Sequence, residues 1–331
     1  MIQPVESLEI TVLVDNGTDS LSTNPGFVET EMAGAWRRGM KWLSGRCLCC
    51  AAHGLSCLIT TRTPSSQHTL LFDTGPDESI FERNVIRLGV DMGGVDAMML
   101  SHGHWDHAGA MPRALQMMTL ANGGRRVPTY MHPDMFASRA VKAKDGRLLP
   151  MEDIPSEHVL AANGADLIIA RNEQSVLSNT VFISGEIPRV TSFEKGMPGQ
   201  HRLDAAGEWT PDELLVDERF VAVHLANKGL FVFTAFARRP DQCSHARGGA
   251  VSRHPPLWRL GRLPPGWPDR GDHSGDRRRA RGLRPPADRR GALHRLAGVG
   301  TTGPAVRGSR RPVGGRKALC AVGTRGRELL D

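Results

Sequence analysis

Four side chains suited to holding metal ions fall within six residues of this 331-residue chain: His102, His104, Asp106 and His107. They follow a short apolar run, residues 95–100, which is typical of a buried strand. Neutral imidazoles and a carboxylate are the ligands that zinc-type ions prefer. A loop at the end of a strand lets alternate residues converge on one point, so the pattern predicts a metal centre there. An exposed polar loop with chance histidines is the alternative.

A second strand candidate ends in a turn upstream of this cluster. Residues 69–75 have the sequence T-L-L-F-D-T-G, in which an apolar run leads into Asp73 and a glycine. Taken alone, Asp73 is typical of a turn residue.

The elements that must position these residues are mostly strands. Compact or alternating apolar runs predict nine strands: Leu8–Val14, Ser56–Thr61, Thr69–Phe72, Ala97–Leu100, Val127–Met131, Leu167–Ala170, Thr180–Ser184, Phe220–Leu225 and Gly229–Thr234. Helical spacing predicts helices over Glu78–Leu88 and Ala108–Leu120. Many strands with a few helices between them indicate an α/β (α+β) fold of layered sheets covered by helices.

Composition excludes several classes of protein. Hydrophobic residues make up 40% of the chain, which is enough for a core. No run of 18 apolar residues predicts a membrane span, and the first residues lack the pattern of a signal peptide. Six cysteines are too few for a disulfide scaffold, so we expect a cytoplasmic protein. Collagen-like, transmembrane and small secreted classes are therefore excluded.

The segment S-H-G-H-W-D-H-A-G, residues 101–109, with D-T-G upstream, resembles the metallo-β-lactamase superfamily. Further segments resemble its branch related to dihydropterin-ribofuranosylaminobenzene-phosphate synthase: H-G-L-S at 53–56, G-E-I-P-R at 185–189, and Asp217-Glu218 leading to Lys228-Gly229-Leu230. The resemblance covers about residues 8–235. It implies an αββα sandwich with metals at one edge between the two sheets.

The resemblance also implies roles for the clustered residues. His102 and His104 would hold a first metal, and Asp106 and His107 a second. Asp73 would orient the metal-binding loop through hydrogen bonds. Asp106 would in addition act in catalysis by orienting a bridging hydroxide.

The activity implied by the resemblance is that of a metal-dependent hydrolase. Two divalent metals, zinc first and iron or manganese as alternatives, would supply a hydroxide nucleophile at neutral pH. The substrate would be a small molecule bearing a phosphoester, a lactone or a pterin-related phosphate. Glu186 and Arg189 would lie near the substrate entrance. No membrane partner is expected, and the sequence does not reveal an oligomeric state.

The last third of the chain differs sharply from the rest. Residues 237–331 hold 21 Arg and one Lys against six Asp and one Glu, a net charge of +15, whereas residues 1–236 carry −8. Those 95 residues contain no Ile, Phe, Tyr, Met or Asn. Such a segment cannot bury enough apolar surface to offset its ordering entropy, so we expect disorder there.

Three interpretations of this tail compete: a basic nucleic-acid-binding extension, a solvated linker, and translation out of frame from a GC-rich gene. The third is favoured on paper. With chosen synonymous codons and two added bases, residues 236–245 can read C-S-H-A-G-L-I-N-V-L, residues 292–298 can contain H-C-T-G-W-R, and a third match lies near Leu257–Leu263. These are, in order, the later motifs of the synthase-related branch. Sequencing the gene around codon 235 tests this interpretation.

We therefore expect a truncated metallo-β-lactamase-like domain over 1–235, an out-of-frame tail over 236–331, and an incomplete second half of the sandwich. Each metal would keep two protein ligands where catalytic zinc usually has three, so weak metal binding and low turnover are expected. An in-frame His245 is a candidate replacement ligand. The alternative function is a non-catalytic remnant with weak nucleic-acid binding through the basic tail, although nucleic acid is not the expected partner.

The remaining histidines and cysteines are not expected to form a separate metal site. His53 is expected to be structural or near the pocket, and His132 a packing residue or an additional ligand. Cys47, Cys49 and Cys50 form a dense cluster, but their spacing fits no common zinc pattern. Cys57 is expected to be a small buried hydrophobe.

Overall fold

A computed structural model describes residues 2–18, 23–189 and 196–235, together with the backbone of 256–260. Five α-helices lie in these ranges: α1 Glu31–Arg37, α2 Glu78–Leu88, α3 Trp105–Ala108, α4 Met111–Ala121 and α5 Glu157–Ala162. Two 3₁₀ turns cover Met92–Gly94 and Pro133–Phe136. No helix within the described residues is long and apolar enough to cross a membrane.

The first sheet has six strands in the order β1-β2-β3-β4-β5-β8. Their bounds are β1 Ser7–Val14, β2 Ser56–Arg62, β3 Gln67–Phe72, β4 Ala97–Met99, β5 Val127–Met131 and β8 Ala165–Ile169. The β1-β2-β3 pairs are antiparallel, and β3, β4, β5 and β8 run parallel. The carboxyl ends of β3, β4 and β5 therefore meet at one edge of the sheet, where ligand sites of α/β proteins commonly form.

Two further sheets complete the strand set. The second sheet has the order β15-β14-β13-β10-β9 and comprises β9 Gln174–Val176, β10 Val181–Ile183, β13 Val221–Leu225, β14 Gly229–Phe233 and β15 Pro256–Leu260. The third has the order β12-β11-β6-β7 and comprises β6 Arg139–Lys142, β7 Leu148–Pro150, β11 Gln200–Leu203 and β12 Trp209–Pro211.

Side chains that alternate between the two faces of the first sheet belong to two separate hydrophobic cores. Leu58, Leu71 and Met98 face the side where α2 and α4 pack. Their neighbours along β2, β3 and β4 face the second sheet, where they meet β10, β13 and β14. Because successive strand residues point to opposite faces, apolar residues on both faces make this a buried middle layer. The layer order is thus helices, first sheet, second sheet.

A third apolar cluster lies on the outer face of the second sheet, around Phe182, Phe220 and Leu230. Within the part of the chain that the structure describes, no helical residue belongs to this cluster. The predicted mixed α/β class is confirmed. The predicted division at residue 235 stays a prediction, since 236–255 and 261–331, including His245, lie outside the described residues.

The helix predictions were right for α2 and partly wrong for the next helix. α2 begins after Asp77, whose side chain accepts the amide of Ile80, and ends at Gly89 in the left-handed region. The predicted helix Ala108–Leu120 is instead split into α3 and α4. The split lies at Gly109 and Ala110, and a proline follows at the start of α4. Pro favours the first turn of a helix and disfavours its interior, which explains the restart.

Candidate metal centre

The histidine cluster lies at the carboxyl edge of the first sheet. His102 and His104 occupy the loop after β4, whereas Asp106 and His107 lie on the single turn of α3. The prediction that the whole cluster lies in a loop is therefore wrong for its second half. A helical turn places adjacent side chains about 100° apart, so Asp106 and His107 reach the site from different directions.

Asp73 supports this loop from the end of β3. Its Oδ1 accepts the Ser101 amide at 2.7 Å, and its Oδ2 accepts the Ser101 hydroxyl at 2.7 Å. Oδ2 also lies 2.8 Å from Nδ1 of His107. The side chain is fully buried, and the backbone has φ 56°. Aspartate tolerates this left-handed conformation better than most residues, which explains why Asp can serve as both turn and anchor.

These hydrogen bonds assign the protons of two imidazoles. A carboxylate only accepts, so Nδ1 of His107 carries a proton when it contacts Asp73. The Ser101 hydroxyl donates to Asp73 and so accepts, at 2.9 Å, from Nδ1 of His102. In both neutral rings the lone pair is then on Nε2, which is the atom that can coordinate a metal.

The coordinating atoms of the first pair are close together. Nε2 of His102 lies 3.0 Å from Nδ1 of His104, and their ring centroids are 4.5 Å apart. Two nitrogens at about 2.0–2.1 Å on one tetrahedral ion would be roughly 3.4 Å apart. The spacing of this pair therefore suits either one N–H···N hydrogen bond or a shared cation.

The second pair has a similar spacing. Nε2 of His107 lies 3.6 Å from Oδ2 of Asp106, and the ring of His107 lies 4.4 Å from that of His102. His53 approaches the same Asp106 oxygen at 3.5 Å and stacks on Trp105 with centroids 6.0 Å apart. The prediction that His53 lies near the pocket is consistent with this contact.

Two glycines permit the close approach of backbone segments around the cluster. Gly54 has φ +133°, and a Cβ there would lie 2.0 Å from the Asp106 carbonyl oxygen. A Cβ on Gly103 would lie 2.3 Å from the Met135 carbonyl oxygen. Any side chain at either position would displace the chain that carries the histidines.

Burial favours the neutral form of His102 and His104, which is the form that binds metals. It lowers the pKa of His102 well below its usual value, with the nearby His107 adding to the effect. Burial likewise lowers the pKa of His104 to about 4, and Arg139 contributes in the same direction.

The donor set of His102, His104, Asp106 and His107 fits a divalent metal in chemistry and in pairwise spacing. Within the described ranges, however, no group of three or more His, Cys, Asp or Glu side chains is arranged to hold one ion. The described residues thus offer pairs of donors rather than a complete coordination shell. The cluster of Cys47, Cys49 and Cys50 is likewise no metal-holding group. Cys57 is buried in β2, as predicted.

Residues 217–219 form a buried polar segment, here called the strap, that contacts the loop carrying His102 and His104. Sequence analysis noted Asp217-Glu218 only as part of the resemblance and did not predict this contact. Asp217 accepts the Gly103 amide at 2.8 Å, and the Arg219 amide donates to the Ser101 carbonyl at 2.8 Å. The strap residues Asp217, Glu218 and Arg219 are at most 1% exposed. Three consecutive buried charges are rare unless each is paired or hydrogen-bonded. The charged triplet 217–219 directly before the apolar run of β13 was the sequence feature that could have indicated the strap.

The strap also holds the second sheet to the first. The Arg219 guanidinium donates to the carbonyls of Ser184 at 2.6 Å and Asn172 at 3.0 Å. Burial lowers the pKa of Arg219 to about 10. Asp217 also forms an ion pair of 2.9 Å with Arg139, which pairs with Asp212 at 3.0 Å.

The two residues expected near the substrate entrance make different contacts. Glu186 accepts from Arg171 at 2.7 Å and lies 3.1 Å from Nε2 of the buried His132. Arg171 holds the pKa of Glu186 below its ordinary value. Arg189 donates to the carbonyls of Ile187 and Leu214, so its guanidinium ties one loop to another.

Comparison with known proteins identifies the family of the central segment. Residues 55–116, which contain Asp73 and the histidine cluster, match the metallo-beta-lactamase superfamily. An uncharacterised protein of Methanocaldococcus jannaschii is 28% identical over 144 residues, covering 44% of this chain and 50% of that protein. The 7,8-dihydropterin-6-methyl-4-(beta-D-ribofuranosyl)-aminobenzene-5'-phosphate synthase of the same organism is 29% identical over 84 residues, covering 25% of this chain and 27% of the synthase. The chain thus spans about half or less of these curated relatives.

Solved structures show a more distant similarity. A quorum-quenching N-acyl homoserine lactone lactonase aligns with a TM-score of 0.33 and 15% identity, covering 70% of this chain and 74% of that one. An N-acyl homoserine lactone hydrolase aligns with a TM-score of 0.35 and 14% identity, covering 74% and 86%. Scores this low carry no argument about activity. The match to the metallo-beta-lactamase superfamily thus covers residues 55–116, the segment that holds the histidine cluster.

Proposed function

We propose that the chain is a metal-dependent hydrolase that acts on a small molecule bearing a phosphoester, a lactone or a pterin-related phosphate. The observation that carries this proposal is the 3.0 Å separation between Nε2 of His102 and Nδ1 of His104. Two buried, neutral imidazoles at that distance can share a cation in place of an N–H···N hydrogen bond. The match of residues 55–116 to the metallo-beta-lactamase superfamily supports a divalent metal, usually zinc.

The chain's own residues would divide the work as follows. His102 and His104 hold one metal position, and Asp106 and His107 hold a second. Asp73 keeps the Nε2 atom of His107 available by fixing a proton on Nδ1. When bound, divalent metals supply a hydroxide nucleophile at neutral pH and polarise the oxygen of the scissile group.

Asp106 is the proposed catalytic residue because its carboxylate lies between two imidazoles. Its Oδ2 is 3.6 Å from Nε2 of His107 and 3.5 Å from Nε2 of His53. A carboxylate in this position can accept a proton from the attacking water and orient it. His53 is the more exposed partner, and its contact extends the polar surface of the site outward.

The substrate class rests on sequence similarity to the pterin phosphate synthase. Glu186 and Arg189 are the proposed substrate-facing residues at the entrance. The Glu186 side chain is 43% exposed and can exchange its partner Arg171 for a substrate group. Arg189 would bind an anion only if it released its loop carbonyls.

We expect weak metal binding and low turnover from this chain, because two protein donors per metal are fewer than the three usual in catalytic zinc sites. The alternative is a non-catalytic remnant that binds nucleic acid weakly through the tail, whose charge of +15 supports it. Nucleic-acid affinity that falls steeply with salt would favour that alternative.

Metal content tests the proposal first. The purified, tag-free chain is dialysed to equilibrium against buffers of known free zinc concentration and its bound zinc is measured by plasma mass spectrometry, beside a His102→Ala/His104→Ala double variant and the exposed His158→Ala as matched control. Metal lost only in the double variant, with slow hydrolysis of bis(p-nitrophenyl) phosphate lost in parallel, supports the proposal. Wild-type chain that takes up no zinc even when zinc is supplied in excess overturns it.

A further inference from the structure

The loop that carries His102 and His104 is held from two sides. Asp73 binds its start at Ser101 and the helical turn beyond it at His107. The strap contacts the middle: the Arg219 amide donates to the Ser101 carbonyl, and the Asp217 carboxylate accepts the Gly103 amide. These two contacts flank His102, and the second lies directly between the two histidines.

The surroundings of Asp217 suit a side chain that holds the loop in place. Its side chain is 1% exposed, and Oδ2 accepts the Gly103 amide and forms an ion pair of 2.9 Å with the Arg139 guanidinium. Its other oxygen, Oδ1, is buried and has no hydrogen-bond partner among the described residues.

We propose that Asp217 is a positioning residue for the metal centre, which fixes the Gly103 peptide and thereby the spacing of His102 and His104. This inference rests on the proposed function. Packing of Gly103 on the Met135 backbone leaves the peptide no room to move toward that side. The hydrogen bond to Asp217 is then a second constraint on the position of the Gly103 peptide.

Asp212 provides a matched control. It is also an acid paired with Arg139, at 3.0 Å, but its carboxylate contacts no residue of the loop among its described hydrogen bonds. Asp217→Asn separates geometry from charge, because an amide oxygen at the Oδ2 position can still accept from Gly103 while the charge paired with Arg139 is lost. Asp217→Ala removes both the hydrogen bond to Gly103 and the ion pair with Arg139.

Two measurements test the proposal on the full-length chain. Zinc affinity is determined by competition with a chelator, and amide hydrogen exchange of the peptide containing Gly103 is followed in metal-free protein. We expect Asp217→Ala to weaken zinc binding by about 10- to 100-fold, the usual effect of losing an outer partner of a metal site. Exchange at Gly103 should accelerate in the same variant. Asp217→Asn and Asp212→Asn should remain close to wild type in both measurements.

Wild-type affinity and exchange in Asp217→Ala would overturn the proposal. So would an Asp217→Asn variant that loses zinc as severely as Asp217→Ala with unchanged exchange, because Oδ1 would then act as a direct ligand. If Asp217→Ala does not fold, Asp217→Glu is used instead, because it keeps the charge for Arg139 but displaces the carboxylate. Unchanged zinc affinity and unchanged Gly103 exchange in Asp217→Glu would also overturn the proposal. A wild-type chain without zinc binding would refute the proposed function, while the exchange data would still decide whether Asp217 fixes the loop.

Discussion

Nδ1 of His107 lies 2.8 Å from Oδ2 of Asp73, in a contact where both side chains are almost completely buried. The contact joins the end of β3 to the turn of α3. It fixes the tautomer of His107, so that Nε2 faces Asp106.

Asp73→Asn should therefore weaken zinc binding by about 10- to 100-fold without unfolding the chain. Asparagine tolerates the left-handed backbone at this position, but its amide cannot accept from Ser101 and His107 together as the carboxylate does. Chelator competition measures the effect. The exposed helix cap Asp77→Asn serves as control, and equal affinities in the two variants would contradict the assigned role of Asp73.

Gly54→Ala should damage the site through its backbone. The new Cβ would lie 2.0 Å from the Asp106 carbonyl oxygen, and the φ of +133° is unfavourable for alanine. We expect a lower thermal midpoint and weaker metal binding, whereas Gly26→Ala, with open space around it, should be neutral. Scanning calorimetry with and without zinc measures both effects. An unchanged midpoint in Gly54→Ala would show that the 53–56 segment can move away.

Stability of the metal-free protein should fall as the pH drops below the ordinary histidine pKa near 6.5. Burial lowers the pKa of His104 to about 4, so between these values the unfolded state binds a proton that the folded state does not. Unfolding free energy then rises with pH in this window, by up to about 1.4 kcal/mol per pH unit for each such histidine. Urea unfolding in EDTA at several pH values should show this slope, reduced in His104→Gln. A variant that keeps the full slope would mean that other groups cause it.

Arg139→Ala should destabilise the fold by about 3–5 kcal/mol, because it leaves the carboxylate of Asp217 buried without its cation. Arg147→Ala is the matched control: its pair with Asp145 is largely exposed and should contribute little to stability. Denaturant titration compares the two variants. Similar small losses of unfolding free energy in both variants would show that water or a local rearrangement replaces Arg139 as the partner of the Asp217 carboxylate.

Local sequence was sufficient to predict the strands and the helix whose apolar residues follow a clear strand or helix periodicity. Each of the nine predicted strands overlaps an observed one, and α2 has the predicted bounds. The third sheet was missed because its strands are short and largely polar, such as R-A-V-K in β6 and W-T-P in β12. Their strand conformation depends on pairing with distant partners rather than on alternation within the segment.

The sequence by itself determined which residues could form a metal centre, because His102, His104, Asp106 and His107 lie in one short segment whose spacing is local. The match to the metallo-beta-lactamase superfamily includes the same segment. The resemblance predicted that Asp73 orients the metal-binding loop, but only the tertiary structure decided that it does so through His107, 34 positions away, and that Asp217 holds Gly103 from 114 positions away. The reason is physical: buried carboxylates are satisfied by whichever donors the folded sheets bring to them, and no local pattern in the chain specifies those partners.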